Sequence, residues 1–173
     1  MREFEDYCWR DIVSDEVRYI YTPYLRERSV GRSPALIVVH PSAPTGSAWH
    51  APVKRLLEEA RRRKMPVVHS GGSLGELVKE EPVCVRPCES AFFSTDLERM
   101  LKIRGTGSLI VCGAPTSGAL RATAVEGKSF GYKVAIAEET VGDEAGFLHK
   151  MALFDLAHKY ADVMSLEELL EQL

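Results

Sequence analysis

The sequence predicts a three-layer α/β/α domain built on a mainly parallel sheet of about six strands, on three observations. Short β-branched runs alternate with helical patterns from about residue 31 onward. Several of those runs are apolar at every position, as strands covered on both faces must be. The 173 residues suit one domain able to bury its own core.

The strand candidates are Ala35 to Val39, Pro66 to His69, Val83 to Val85, Ser108 to Cys112, Tyr132 to Ala137 and Ala161 to Met164. Between them, Val53, Leu56, Leu57 and Ala60 recur at helical spacing. Ser94 or Thr95 can cap a helix carrying Leu97, Met100 and Leu101, with Gly105 to end it. The stretch Gly118 to Gly127 is small and apolar and suits close packing on a sheet, and Leu148, Met151, Ala152 and Leu156 share one helix face. Ser165 and Glu168 form a capping-box pair that opens a last helix. Residues 1–30 differ from the rest: Phe4 to Val13 and Asp15 to Tyr24 are amphipathic and rich in aromatics. They are expected to be a helical arm lying on the 31–173 domain or on a partner subunit.

Net charge is −3, which gives no general pull toward nucleic acid or an anionic membrane surface. The basic run Arg61-Arg62-Arg63-Lys64 sits where it would complement a helix C-terminus. No apolar run approaches the roughly 20 residues of a membrane span, and the acidic start lacks a signal peptide's apolar region, so the cytoplasm is the expected location. Cys8, Cys84, Cys88 and Cys112 are scattered, which implies no disulfide framework. The C-x3-C spacing of Cys84 and Cys88 has no second ligand pair to complete a zinc site. Neither a metal nor a cofactor is expected.

In a sheet of this kind ligands bind beyond the carboxyl ends of the strands. Four loops are therefore expected to converge on one crevice: His40-Pro41-Ser42, Ser70-Gly71-Gly72, Arg86 to Ser90, and Gly113 to Gly118.

Gly113-Ala114-Pro115-Thr116-Ser117-Gly118-Ala119-Leu120-Arg121-Ala122-Thr123-Ala124 is the most informative stretch. It resembles the loop-to-helix motif of the isochorismatase-like cysteine hydrolases, and within them is most similar to the N-carbamoylsarcosine amidase branch. Ser90-Ala91-Phe92-Phe93-Ser94-Thr95-Asp96-Leu97 and Glu138-Glu139-Thr140-Val141-Gly142-Asp143 carry the same resemblance, as do Pro34 to Val39 and the residues from His149 to Glu168. The resemblance implies hydrolysis of C–N bonds by a Cys nucleophile working with an Asp and a Lys. It also implies a cis peptide, here Ala114-Pro115, that aims loop N–H groups as an oxyanion hole.

At the three catalytic positions the sequence has other residues: His40 for the Asp, Arg86 for the Lys and Ala119 for the Cys. A methyl group is no nucleophile, and an Arg that stays protonated does not shuttle a proton. The expected function is therefore a non-catalytic homologue that binds a small molecule or serves as a structural subunit, as a homo-oligomer or beside an active paralogue. The exchange moves the charge of the trio from near zero to between about +1 and +2, depending on His40. An anion is then the expected ligand, held by His40, Arg86 and the loop Ala114, Pro115, Thr116, Ser117, Gly118 and Ala119; Arg86 could instead pair with Glu89 or another acid. Thr116 and Ser117 are otherwise expected to bond the loop and cap the helix. The alternative is a C–N hydrolase of altered mechanism, with His40 as base and Cys88 or an activated water as nucleophile. Cys8 and Cys112 are read as packing residues, and His149 and His158 as solvated or interfacial. His69-Ser70-Gly71-Gly72 stands where the metal-binding branch keeps a D-W-H-P stretch.

Overall fold

The computed structural model describes residues 3–24, 26–42, 46–71 and 80–173. Within them, β1 (Pro34–Val39), β2 (Val67–Ser70), β3 (Val83–Cys84), β4 (Ser108–Gly113), β5 (Lys133–Ala137) and β6 (Asp162–Met164) form one sheet. Every pairing is parallel, in the order β3-β2-β1-β4-β5-β6. The helices are α1 (Asp15–Tyr21), α2 (His50–Arg62), α3 (Leu97–Ile103), α4 (Arg121–Ser129), α5 (Gly146–Lys159) and α6 (Leu166–Glu171).

The period-2 geometry of β1 divides the core in two. Ala35, Ile37 and Val39 join residues of α3, α4 and α5 in one cluster, while Leu36 and Val38 join α2 and α6 in the other. Residues 35–39 are wholly buried, which is why an unbroken apolar run, rather than an alternating one, marks this strand. The Ser165–Glu168 capping box opens α6 as expected, and Ser14 accepts from the Val17 N–H to open α1. At α3 the Thr95 hydroxyl, not Ser94, meets the first helical N–H, that of Leu97.

Two expected elements come out differently. β3 is only two residues long and leaves Val85 73% exposed, because it is an edge strand with a partner on one side only. The segment from Gly118 does not enter its helix directly. Thr116–Leu120 makes one wide π-type turn with Gly118 at φ −109° and ψ −109°, and α4 starts after it.

The first 30 residues contribute to the interior. Tyr7 and Trp9 stack at 4.3 Å, are 3% and 1% exposed, and belong to the α3–α4–α5 cluster. Trp9 also meets Phe154 and His158 edge-on. His158, expected at a wetter position, is therefore a core residue, with its Nδ1 2.6 Å from Phe154 O. Among the described residues, no helix is long and apolar enough to cross a membrane.

Strand order reverses between β1 and β4, so the crevice of this sheet opens where those two strands end. Val39 pairs with Ser70 on one side and with Gly113 on the other. That register sets His40, Gly71 and Ala114 next to one another.

Candidate functional site

His40 leaves β1 only 3% exposed, and its Nε2 lies 2.8 Å from Nδ1 of the fully buried His69. Burial, then the neighbouring His69 and Arg86, push the His40 imidazole down to about 4. It is therefore neutral at neutral pH. His69 is also held low, mainly by burial, although Glu81 pulls the other way from 3.7 Å. Glu81 is itself bound to Arg61 at 2.6 Å.

Arg86 does not pair with Glu89. Its two terminal nitrogens donate to Ser70 O at 2.9 Å and His40 O at 3.0 Å, tying the ends of β1 and β2 together. Among the described residues no carboxylate forms an ion pair with it. Both guanidinium arms are thus engaged by backbone carbonyls.

The Ala114-Pro115 peptide is cis, as the sequence implied. The loop after it does not present the expected set of free N–H donors. Pro115 has none. The Thr116 N–H donates to Gly142 O at 2.8 Å and the Ser117 N–H to Asp143 Oδ2 at 2.8 Å. Those of Gly118 and Leu120 both donate to Pro115 O, at 3.3 and 3.2 Å. At most the Ala119 N–H remains for a ligand. The oxyanion hole implied by the sequence is therefore largely filled by the protein's own acceptors.

Thr116 and Ser117 do not cap α4. Gly142 O can only accept, so the Thr116 hydroxyl spends its proton there at 2.9 Å, and His149, also 2.9 Å away, donates through Nδ1–H. His149 is thus tied into the loop rather than freely solvated. The Ser117 hydroxyl donates to Asp143 Oδ2 at 2.7 Å. Burial works against the Asp143 carboxylate, but the Ser117 hydroxyl and N–H and the Ala145 N–H outweigh it and hold the group below its ordinary value.

A cleft of about 220 Å³ opens here, lined by Pro41, Ser42, Arg86, Glu89, Pro115, Asp143 and Glu144. Of the expected ligand-binding set only Arg86 and Pro115 reach it. Ala114, Thr116 and Ala119 are each 0% exposed, and His40 turns to His69. Gly118 borders the Glu89 carboxylate: a Cβ there would sit 3.3 Å from Oε2. Among the described lining residues three carboxylates stand beside one engaged cation, charges that the exchange at the three catalytic positions does not count. Cys88 is exposed and is not among the lining residues. Cys112 is buried, which raises its thiol far above the usual range. Among the described residues no three His, Cys, Asp or Glu side chains gather as a ligand set for a metal. Gly72 lies outside the described residues.

Sequence reasoning missed His69, Asp143 and Glu144. A signal for His69 existed, since it lies near the end of the second strand and His40 directly follows the neighbouring first strand. Asp143 lay in a stretch that carried the resemblance, but its bond to Ser117, 26 residues away, was not legible there.

Four buried or half-buried imidazoles, those of His40, His69, His149 and His158, are held below their ordinary 6.5 chiefly by burial. Their unfolded counterparts take up protons first as pH falls, so stability should drop between about pH 6.5 and 4 and be fully present above 6.5. His40 alone corresponds to about 3 kcal/mol. Urea unfolding at pH 7.5, 6 and 5 should show a midpoint that falls steadily. A flat profile would mean that these rings are not held neutral.

Comparisons with known proteins agree with one another. A model described as the isochorismatase domain matches residues 71–168. The maleamate amidohydrolase of Pseudomonas putida is 36% identical over 93 residues, 54% of this chain and 44% of that protein. The N-carbamoylsarcosine amidase of an Arthrobacter species is 33% identical over 84 residues, 49% of this chain and 32% of that protein. The matched stretches thus span less than half the length of these curated relatives. A cysteine hydrolase structure from Pseudomonas syringae superposes with a TM-score of 0.76 over 84% of this chain and 95% of that one, at 18% identity, a likeness of fold.

Proposed function

The chain belongs to the isochorismatase domain family, and we propose that it keeps the family's fold without performing its thiol-based hydrolysis. One observation carries this reading. Ala119, where the loop motif places the nucleophile, is a methyl group with no exposure near the end of the wide turn before α4. Groups that act as a unit lose most of their joint effect when one is removed. The surroundings support the same reading: His40 is neutral and bound to His69, Arg86 holds two carbonyls, and the loop retains at most one unengaged N–H.

On this reading the protein is a ligand-binding or structural member of an assembly, as a homo-oligomer or beside an active paralogue. Exposed Phe147, Leu148 and Met151 on α5 support an assembly role. The surrounding carboxylates favour a small cationic or donor-rich ligand over an anion. A hydrolase that uses the exposed Cys88 is the second reading. It draws on the charge interaction between Cys88 and Arg86, but Cys88 does not line the cleft.

Restoring the implied trio together, as His40→Asp, Arg86→Lys and Ala119→Cys, tests the proposal. Maleamate and N-carbamoylsarcosine are the substrates to try, because the relatives are named for them. The restored protein should gain measurable ammonia release that the starting protein lacks. The gain should be weak, because each missing oxyanion donor costs about 100-fold or more. Equal rates in the two proteins would overturn the reading.

A further inference from the structure

Away from the crevice, at the opposite end of the sheet, a second concavity of about 320 Å³ opens where β5 and β6 begin. Its wall carries Arg26, Lys128, Lys133 and Lys159 but one carboxylate, Asp162. In a chain of net charge −3 this is a local excess of three positive charges.

The carboxylate is fully occupied. Asp162 is 3% exposed, with Oδ1 2.9 Å from Arg26 Nε and Oδ2 3.1 Å from the Ser29 N–H and 3.3 Å from Lys133 Nζ. It therefore acts as an internal anchor that draws cations from the arm and from β5 to one place. Arg26 also donates to Ala161 O, and Lys133 bonds the Ser29 hydroxyl. Lys159 is shared with Asp155 outside the concavity at 3.3 Å. Lys128 is exposed and makes no ion pair among the described residues.

Lys128 and Lys159 stand in the last turns of α4 and α5, where a cation also offsets the helix dipole. That role does not account for Arg26 or Lys133, which sit at no helix end. Helix ends place two cations and a buried carboxylate places two more, all around a single hollow of small-molecule size.

We infer that this hollow is a binding site for a small multivalent anion of the phosphate-ester or pyrophosphate class. Several cations at fixed positions favour a ligand carrying several charges on a compact group, and a singly charged acetate gains little from them. Nothing in this inference depends on whether the crevice is catalytic.

Calorimetric titration of the intact chain with inorganic pyrophosphate tests it, with acetate as the monovalent comparison. Pyrophosphate should bind and acetate should not, and binding should weaken as salt is raised. Lys128→Gln, an exposed change, should weaken pyrophosphate at least about five-fold. Lys54→Gln, an equally exposed change on α2, should leave it unaltered. Amide resonances of residues 128–134 and 159–162 should shift during the titration. No pyrophosphate binding, or equal weakening by the Lys128 and Lys54 variants, would overturn the inference.

Discussion

Gly113→Ala is expected to cost more than about 4 kcal/mol and to leave little folded protein. Gly113 ends β4 at φ +112°, and a Cβ built there would lie 1.9 Å from Val39 O and 2.8 Å from its carbonyl carbon. Both atoms are backbone of β1, in the middle of the sheet, so no flexible side chain can move aside. The Val39–Gly113 pairing and the Gly142 N–H bond to Gly113 O would be broken together. Soluble yield and circular dichroism of the purified variant provide the check. A variant within about 1 kcal/mol of the parent in urea would show that β1 and β4 do not approach this closely.

Trp9→Ala should cost about 3–5 kcal/mol, as large-to-small changes of buried aromatics do. The indole is 1% exposed, stacked on Tyr7 and edge-on to Phe154 and His158. Tyr7 would lose its stacking partner, leaving polar ties such as its hydroxyl bond to Val163 O at 3.3 Å and the Cys8 N–H bond to Glu138 at 2.9 Å to hold the start of the chain. Residues 3–13 should then become accessible to limited proteolysis before the rest of the domain. A loss below about 1 kcal/mol would mean that the arm is dispensable to the core.

The two halves of the structure were not equally legible in the sequence. Strands such as β1 and β4 were plain because burial on both faces leaves no polar position in Ala35–Val39 or Leu109–Cys112. β3 was overextended by one residue because Val85 is β-branched, and propensity does not reveal which strand lies at an edge. The arm was legible as aromatic but not as interior, since Tyr7 and Trp9 are buried by contacts with α5, nearly 150 residues away.

At the site, the resemblance located His40, Arg86, Ala119 and the Ala114-Pro115 bond, and the register of β1 with its neighbours brings their backbones together. What each side chain does there was not legible, because it depends on partners distant in sequence. His40 meets His69, Arg86 meets two carbonyls, and Ser117 meets Asp143. Charge counted over three positions suggested an anion pocket. Among the described lining residues, Glu89, Asp143 and Glu144 come from other loops, so their charges lay outside that count.

Ammonia release by the unmodified protein over a panel of amides and N-carbamoyl compounds tests the central claim most directly. Rates should match a protein-free blank at neutral pH, and a Cys88→Ser variant should be indistinguishable from its parent. Turnover above the blank that persists through purification and falls in the Cys88→Ser variant would contradict the account, and would move the chemistry to the exposed thiol beside Arg86.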